Sequence, residues 1–169
     1  FVLLALCCLV VGVHAQEWVE VRSPHFSVVT DGGPKQGREI ALRFEQMRTV
    51  FGQIFRRTKI NLPVPLQIVA FRNAKQMRPY VPVFQGKPVE LSGLFMSGED
   101  RSFILLDLSA DNKWEAVFHE YAHQLLNGSF PRMAPWFDEG FAQYSASMRI
   151  SGTSFQIGDA PEGADGPAR

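Results

Sequence analysis

Beyond residue 8 the chain has no cysteine; its only two are Cys7 and Cys8. A disulfide framework and thiolate metal sites are therefore excluded from almost the whole length. Net charge is missing as well, since seventeen Lys and Arg balance seventeen Asp and Glu. Nucleic-acid binding and attachment to an acidic membrane both draw on a cationic surface, so neither is expected. Internal repeats and low-complexity blocks are absent, and histidine occurs only four times in 169 residues. The longest apolar run, Phe1 to Val13, is too short to cross a bilayer.

That run has no charged residue and ends in Val13-His14-Ala15 before Gln16. An apolar stretch of this length closed by small residues is the pattern of a secretory signal cleaved after Ala15. Residues 1–15 are accordingly read as a signal peptide that begins upstream of Phe1. Its removal leaves a mature chain without thiols and with three histidines, His25, His119 and His123. Export to a periplasmic or extracellular space follows from the signal.

The remaining 154 residues or so are one domain's worth of chain, and the sequence as a whole is 46% hydrophobic, enough to fill a core. Trp18 to Val21 and His25 to Thr30 read as short strands around Ser23-Pro24. After a turn at Asp31 to Pro34, apolar residues recur at three and four from Ile40 to Ile54, which predicts an amphipathic helix over 35–57. A strand over 65–71, a short helix over 73–80 and a loop over 81–87 come next. Glu90 to Ser97 and Ser102 to Leu108 flank a polar turn and form a hairpin, the second strand covered on both faces and the first at the sheet edge. A buried helix runs from an Asn112/Glu115 capping box to a left-handed stop at Asn127-Gly128. Another helix covers 136–149, with Phe137, Phe141, Tyr144 and Met148 inward. The Gly- and Pro-bearing stretch 151–169 supplies no closing element and is read as the start of a further region. The mixture of strands and helices predicts an α+β domain over 16–150 with a small mixed sheet.

The chemistry lies in VFHEYAHQLLNG, residues 117–128. Residues i and i+4 share a helix face, so His119 and His123 can point ring nitrogens at one spot. Zinc takes imidazole nitrogen, and a catalytic zinc needs a third protein ligand while leaving one position open. Glu120 is poorly placed as a ligand but well placed as the base that takes a proton from water. The third ligand must come from another element. In PWFDEGFAQY, Glu139 is the leading candidate and Asp138 its neighbour and competitor. An ionisable cluster inside an apolar shell is costly unless a cation neutralises it, which favours a metal over packing alone.

HEYAH followed by WFDEG resembles the gluzincin metallopeptidases, and together with WVEVRSPHFSVVTDG it is similar to their exported bacterial, peptidase MA-like group. The resemblance spans about Trp18 to Met148. It implies a zincin-like fold, an active-site helix followed by a glutamate-bearing helix, and one zinc per chain held by His119, His123 and Glu139. It further implies Glu120 as catalytic base and hydrolysis of peptide or protein substrates by a metal-bound water. Related chains often continue into helical repeats. The rival expectation is a catalytically inactive, metal-stabilised scaffold or interaction module of the cell envelope. Neither Tyr121 nor Tyr144 is placed to stabilise an oxyanion. The exposed edge strand predicts that Leu94, Phe95 and Met96 line a substrate cleft on the same side as Glu120. His25 is read as structural, and Arg43, Arg48, Arg56 and Arg57 as solvated charges.

Overall fold

The computed structural model describes residues 17–56, 62, 64–130, 133–152 and 154–158. The expected signal peptide with both cysteines, Arg57, Pro131 and the tail from residue 159 lie outside them. Strands β1 (Val19–Arg22) and β2 (Ser27–Thr30) precede helix α1 (Pro34–Ile54), and β3 (Leu66–Phe71) precedes a short α2 (Ala74–Met77). A single 3-10 turn, Arg78–Tyr80, leads to a small ribbon of β4 (Val83–Phe84) and β5 (Lys87–Pro88). Then come β6 (Gly93–Met96), β7 (Ser102–Asp107), α3 (Lys113–Ser129), α4 (Pro135–Ala146), β8 (Arg149–Ser151) and β9 (Ser154–Gln156). Among the described residues no helix is long and apolar enough to cross a membrane.

The main sheet has five strands in the order β1-β2-β3-β7-β6. Its centre is parallel, β2 to β3 and β3 to β7, while both outer strands run antiparallel to their neighbours. This is a mixed α+β arrangement. The central β7 is apolar on both faces because both are covered, and β6 lies outermost.

Strand alternation divides the sheet residues into two clusters. Val28, Ile68, Ala70, Ile104 and Leu106 face α1 and α3 in the main core. Phe71 and Leu105 face the other way, where they form a smaller cluster with Met77 and Val81 from the segment after β3, with Leu91 and Leu94 packed against it. The main core is aromatic at its centre. Tyr121 packs 5.6 Å from Phe26 and 5.2 Å from Phe44, ring centre to ring centre, and Phe118 adjoins Phe44 at 6.4 Å.

Several local expectations change. Asn112 does precede α3, but its side chain makes no capping hydrogen bond. The helix also passes through Asn127-Gly128 and ends at Ser129. Asn127 donates instead to the His123 carbonyl at 2.9 Å and to Asp138 at 3.1 Å, a tertiary tie that outweighs the local preference for a left-handed stop. Residues 81–87 are not simply a loop, for they hold most of the β4–β5 ribbon. Residue 150, the expected end of the domain, lies within an element of the structure. It falls in the β8–β9 hairpin, which is fastened to α1 where Arg43 donates to the Ile150 carbonyl and Gln46 to the Gly152 carbonyl, both at 3.2 Å. Arg43 also lies 5.6 Å over the Trp114 ring, so it is a structural cation rather than a solvated one. Tyr144 is 44% exposed and does not pack inward.

His25 behaves as a structural residue. Glu45 on α1 accepts from its ring Nδ1 at 2.8 Å, its backbone N–H at 2.9 Å and the Ser23 hydroxyl at 2.7 Å. Burial raises the Glu45 carboxyl, but these hydrogen bonds prevail and hold it below its ordinary value.

Gly93 sets the spacing between the sheet edge and α3. A Cβ at this position would stand 2.9 Å from Val117 Cγ2, and Val117 is itself buried and stiff at χ1. Gly93→Ala should therefore cost about 1–3 kcal/mol by overpacking, measured by urea unfolding. A cost indistinguishable from zero would show that α3 does not rest on β6 at this point.

Candidate metal centre

α3 buries Val117, Phe118, Tyr121, Ala122, Leu125 and Leu126 and turns His119, Glu120 and His123 to its half-exposed side. α4 packs against that side and begins with Pro135, whose missing N–H costs nothing in a first helical turn. Its first turns carry Asp138 and Glu139 to the histidines.

The structure brings three of the expected residues together. His119 Nε2 and His123 Nε2 are 3.3 Å apart. Glu139 Oε1 is 3.3 Å from His119 Nε2, and its Oε2 is 3.6 Å from His123 Nε2. One ligand atom from each lies within 4.8 Å of the others, so the group could hold a metal ion. Bonds of 2.0–2.1 Å to a tetrahedral ion place donors about 3.3–3.4 Å apart. The Nε2–Nε2 separation and the His119 Nε2–Glu139 Oε1 separation, both 3.3 Å, fit that shell. The imidazoles are 21% and 22% exposed while Glu139 is 66% exposed, so the cluster opens to solvent on the α4 side.

Asp138 takes a place that sequence spacing alone left undecided. Its Oδ1 sits 2.7 Å from His123 Nδ1, on the far side of the ring from the cluster. Burial raises the Asp138 carboxyl, yet hydrogen bonds from His123 and Asn127 prevail and hold it below its ordinary value. An ionised carboxylate only accepts, so His123 Nδ1 donates to Asp138, and in the neutral ring the lone pair then belongs to Nε2, the nitrogen facing His119 and Glu139. Carboxylates behind a ligating imidazole fix its tautomer and orientation in this way. The one clue in the sequence was two adjacent acids about 100° apart round a helix, able to serve opposite nitrogens of one ring.

Glu120 is half-buried and has no hydrogen bond or ion pair among the described residues. No tyrosine adds a donor beside the cluster. Tyr121 is fully buried in the core, where burial drives its hydroxyl well above the ordinary range against the pull of Arg48. Tyr144 lies against Gly158, and Tyr80 is on the other face of the sheet.

The edge strand needs a correction. Leu94 pairs with Leu105 and packs with the Phe71 cluster, and Met96 pairs with Phe103, so both side chains turn away from α3. Only Phe95 reaches the α3 side, packing on the main core. The period of two in a strand makes this unavoidable: three consecutive residues cannot line one cleft.

Asp138→Asn keeps the size of the side chain but removes the charge that holds the His123 proton. Zinc affinity, measured by competition with a chromogenic chelator, should fall about 10–100-fold. Affinity equal to wild type would show that the hydrogen bond behind His123 does not tune the cluster.

Comparison with protein-family models and with characterised proteins finds no match to this chain.

Proposed function

We propose that the protein is an exported zinc-dependent metallopeptidase of zincin-like fold, with His119, His123 and Glu139 as zinc ligands and Glu120 as general base. The observation that carries this reading is the convergence of one ligand atom from each of His119, His123 and Glu139 within 4.8 Å of one another, with the two Nε2 atoms 3.3 Å apart, which suits a single ion. Two imidazoles and one carboxylate are also the donor set of a catalytic rather than a structural zinc, because they leave a position open.

A bound zinc ion supplies a Lewis acid for water and for the carbonyl of the bond to be cut. The chain's own groups do the rest. Asp138 keeps His123 in the ligating tautomer. Glu120, without a partner among the described residues and one residue past His119, takes a proton from the attacking water and delivers it to the departing amine. The outermost strand β6 offers unpaired backbone groups to an extended peptide, and with Leu94 and Met96 turned away it holds the substrate by main chain and by Phe95. Such binding demands little of the substrate's side chains, so cleavage is broadly tolerant.

The inactive-scaffold reading draws on one observation, that all three tyrosines are placed away from the cluster. Purified protein should hold about one zinc per chain and cut members of a mixed peptide library detected by mass spectrometry. His123→Ala should lose most of the metal. Glu120→Gln should keep it while turnover falls roughly 10²-fold or more. Zinc retained by His123→Ala would sink the ligand set. Metal-loaded protein that leaves the library intact would establish the scaffold instead.

A further inference from the structure

Acidic and basic residues balance over the whole chain but not along it. From Arg72 to Val89 there are four cations, Arg72, Lys75, Arg78 and Lys87, and no acid. Arg72 faces Asp31 at 3.6 Å. Lys75, Arg78 and Lys87 are exposed and have no ion pair among the described residues. Lys75 and Arg78 flank an open cavity whose other wall includes Pro88 and Glu90, so α2 and the ribbon's second strand lie side by side.

The same segment projects apolar side chains into solvent. Tyr80 is 59% exposed, Val83 66% and Phe84 69%, the last surpassed among the described large apolar residues only by Trp136. β4 and β5 are joined through Gln85 and Gly86, both left-handed at φ 49° and 76°, as a tight two-residue hairpin requires. Phe84 stands opposite Lys87 in register, so an aromatic ring and an ammonium group share one side of the ribbon. Behind them Tyr80 and Trp18 flank Phe71, at 5.2 and 5.5 Å, on the sheet face turned away from α3.

A ribbon with two residues per strand is too slight to supply the ~800 Å² per partner of an ordinary protein interface. Protruding apolar tips, an aromatic collar and a cationic border, with the acids Glu90 and Asp107 set back in the cavity behind Lys75 and Arg78, suit a different partner. We propose that the segment Arg72–Val89 is a docking surface for an anionic lipid bilayer. Val83 and Phe84 enter the boundary between headgroups and acyl chains, Tyr80 rests at headgroup level, and Lys75, Arg78 and Lys87 meet lipid phosphates. His119 and His123, across the sheet, stay open to the aqueous side. The proposal is independent of any peptidase activity.

The test is co-sedimentation of the mature chain from Gln16 with vesicles. Binding to equimolar phosphatidylglycerol and phosphatidylcholine should exceed binding to pure phosphatidylcholine by about 10²-fold at low salt, as three cations near an anionic surface imply. Val83→Ser with Phe84→Ser should weaken binding at least about 10-fold and leave the salt dependence in place. The triple change Lys75→Gln, Arg78→Gln and Lys87→Gln should abolish the preference for anionic vesicles. Circular dichroism should match wild type for both variants, since every altered side chain is exposed. Wild-type protein that stays in solution with anionic vesicles, as it would if the surface served a protein partner, overturns the proposal. So does wild-type binding by both variants.

Discussion

The rotation of α3 about its own axis is the constraint on which the cluster of His119, His123 and Glu139 depends. This helix is apolar round most of its circumference, so hydrophobicity alone leaves its orientation loosely defined. Tyr121 fixes it. Its ring is wedged between Phe26 from the strand side and Phe44 from α1, and Phe118 and Leu125 extend the same stripe. With that face committed, His119 and His123 have nowhere to point but toward α4. A turn of 100° either way would bury an imidazole or expose a tyrosine, and both are costly.

Two neighbouring acids on α4 then divide the work. Glu139 reaches the Nε2 atoms of both histidines, and Asp138 holds the Nδ1 of one of them. Because one short carboxylate and one long carboxylate leave the helix at different angles, a single turn reaches opposite nitrogens of the His123 ring. Asn127 joins this arrangement from the end of α3, so the first turn of α4 is tied to the last turns of α3 by the same residues that border the cluster.

The parts that the sequence revealed were those governed by a local period. The three-and-four spacing from Ile40 to Ile54 located α1 to within a few residues, and the runs about Gly98 to Arg101 located the β6–β7 hairpin and its exposed member. His119, His123 and Glu139 were legible because their chemistry is rare and their spacing is helical. What escaped depends on partners far along the chain. Asn127-Gly128 looks like a helix end until Asp138 occupies the Asn127 side chain. Arg43 looks solvated until Trp114 and the Ile150 carbonyl meet it. Leu94 and Met96 were assigned to a cleft as members of a run, whereas a pleated strand sends neighbours to opposite faces. The zero net charge, a sum over the whole chain, concealed the one-signed segment after β3.

The three donors all lie between residues 119 and 139, on two helices that follow one another directly, whereas the strands that build the sheet are drawn from residues 19 to 107. Any cation captured there closes a short loop and tightens a contact that is already local, at little cost in chain entropy. Its stabilisation first suppresses local opening of the helical hairpin, and because the unfolded chain loses the site it also deepens the global unfolding step that the sheet shares with α3. Amide exchange in α4 would slow with metal supply through the local opening, and exchange in β3 and β7 would slow through the global one.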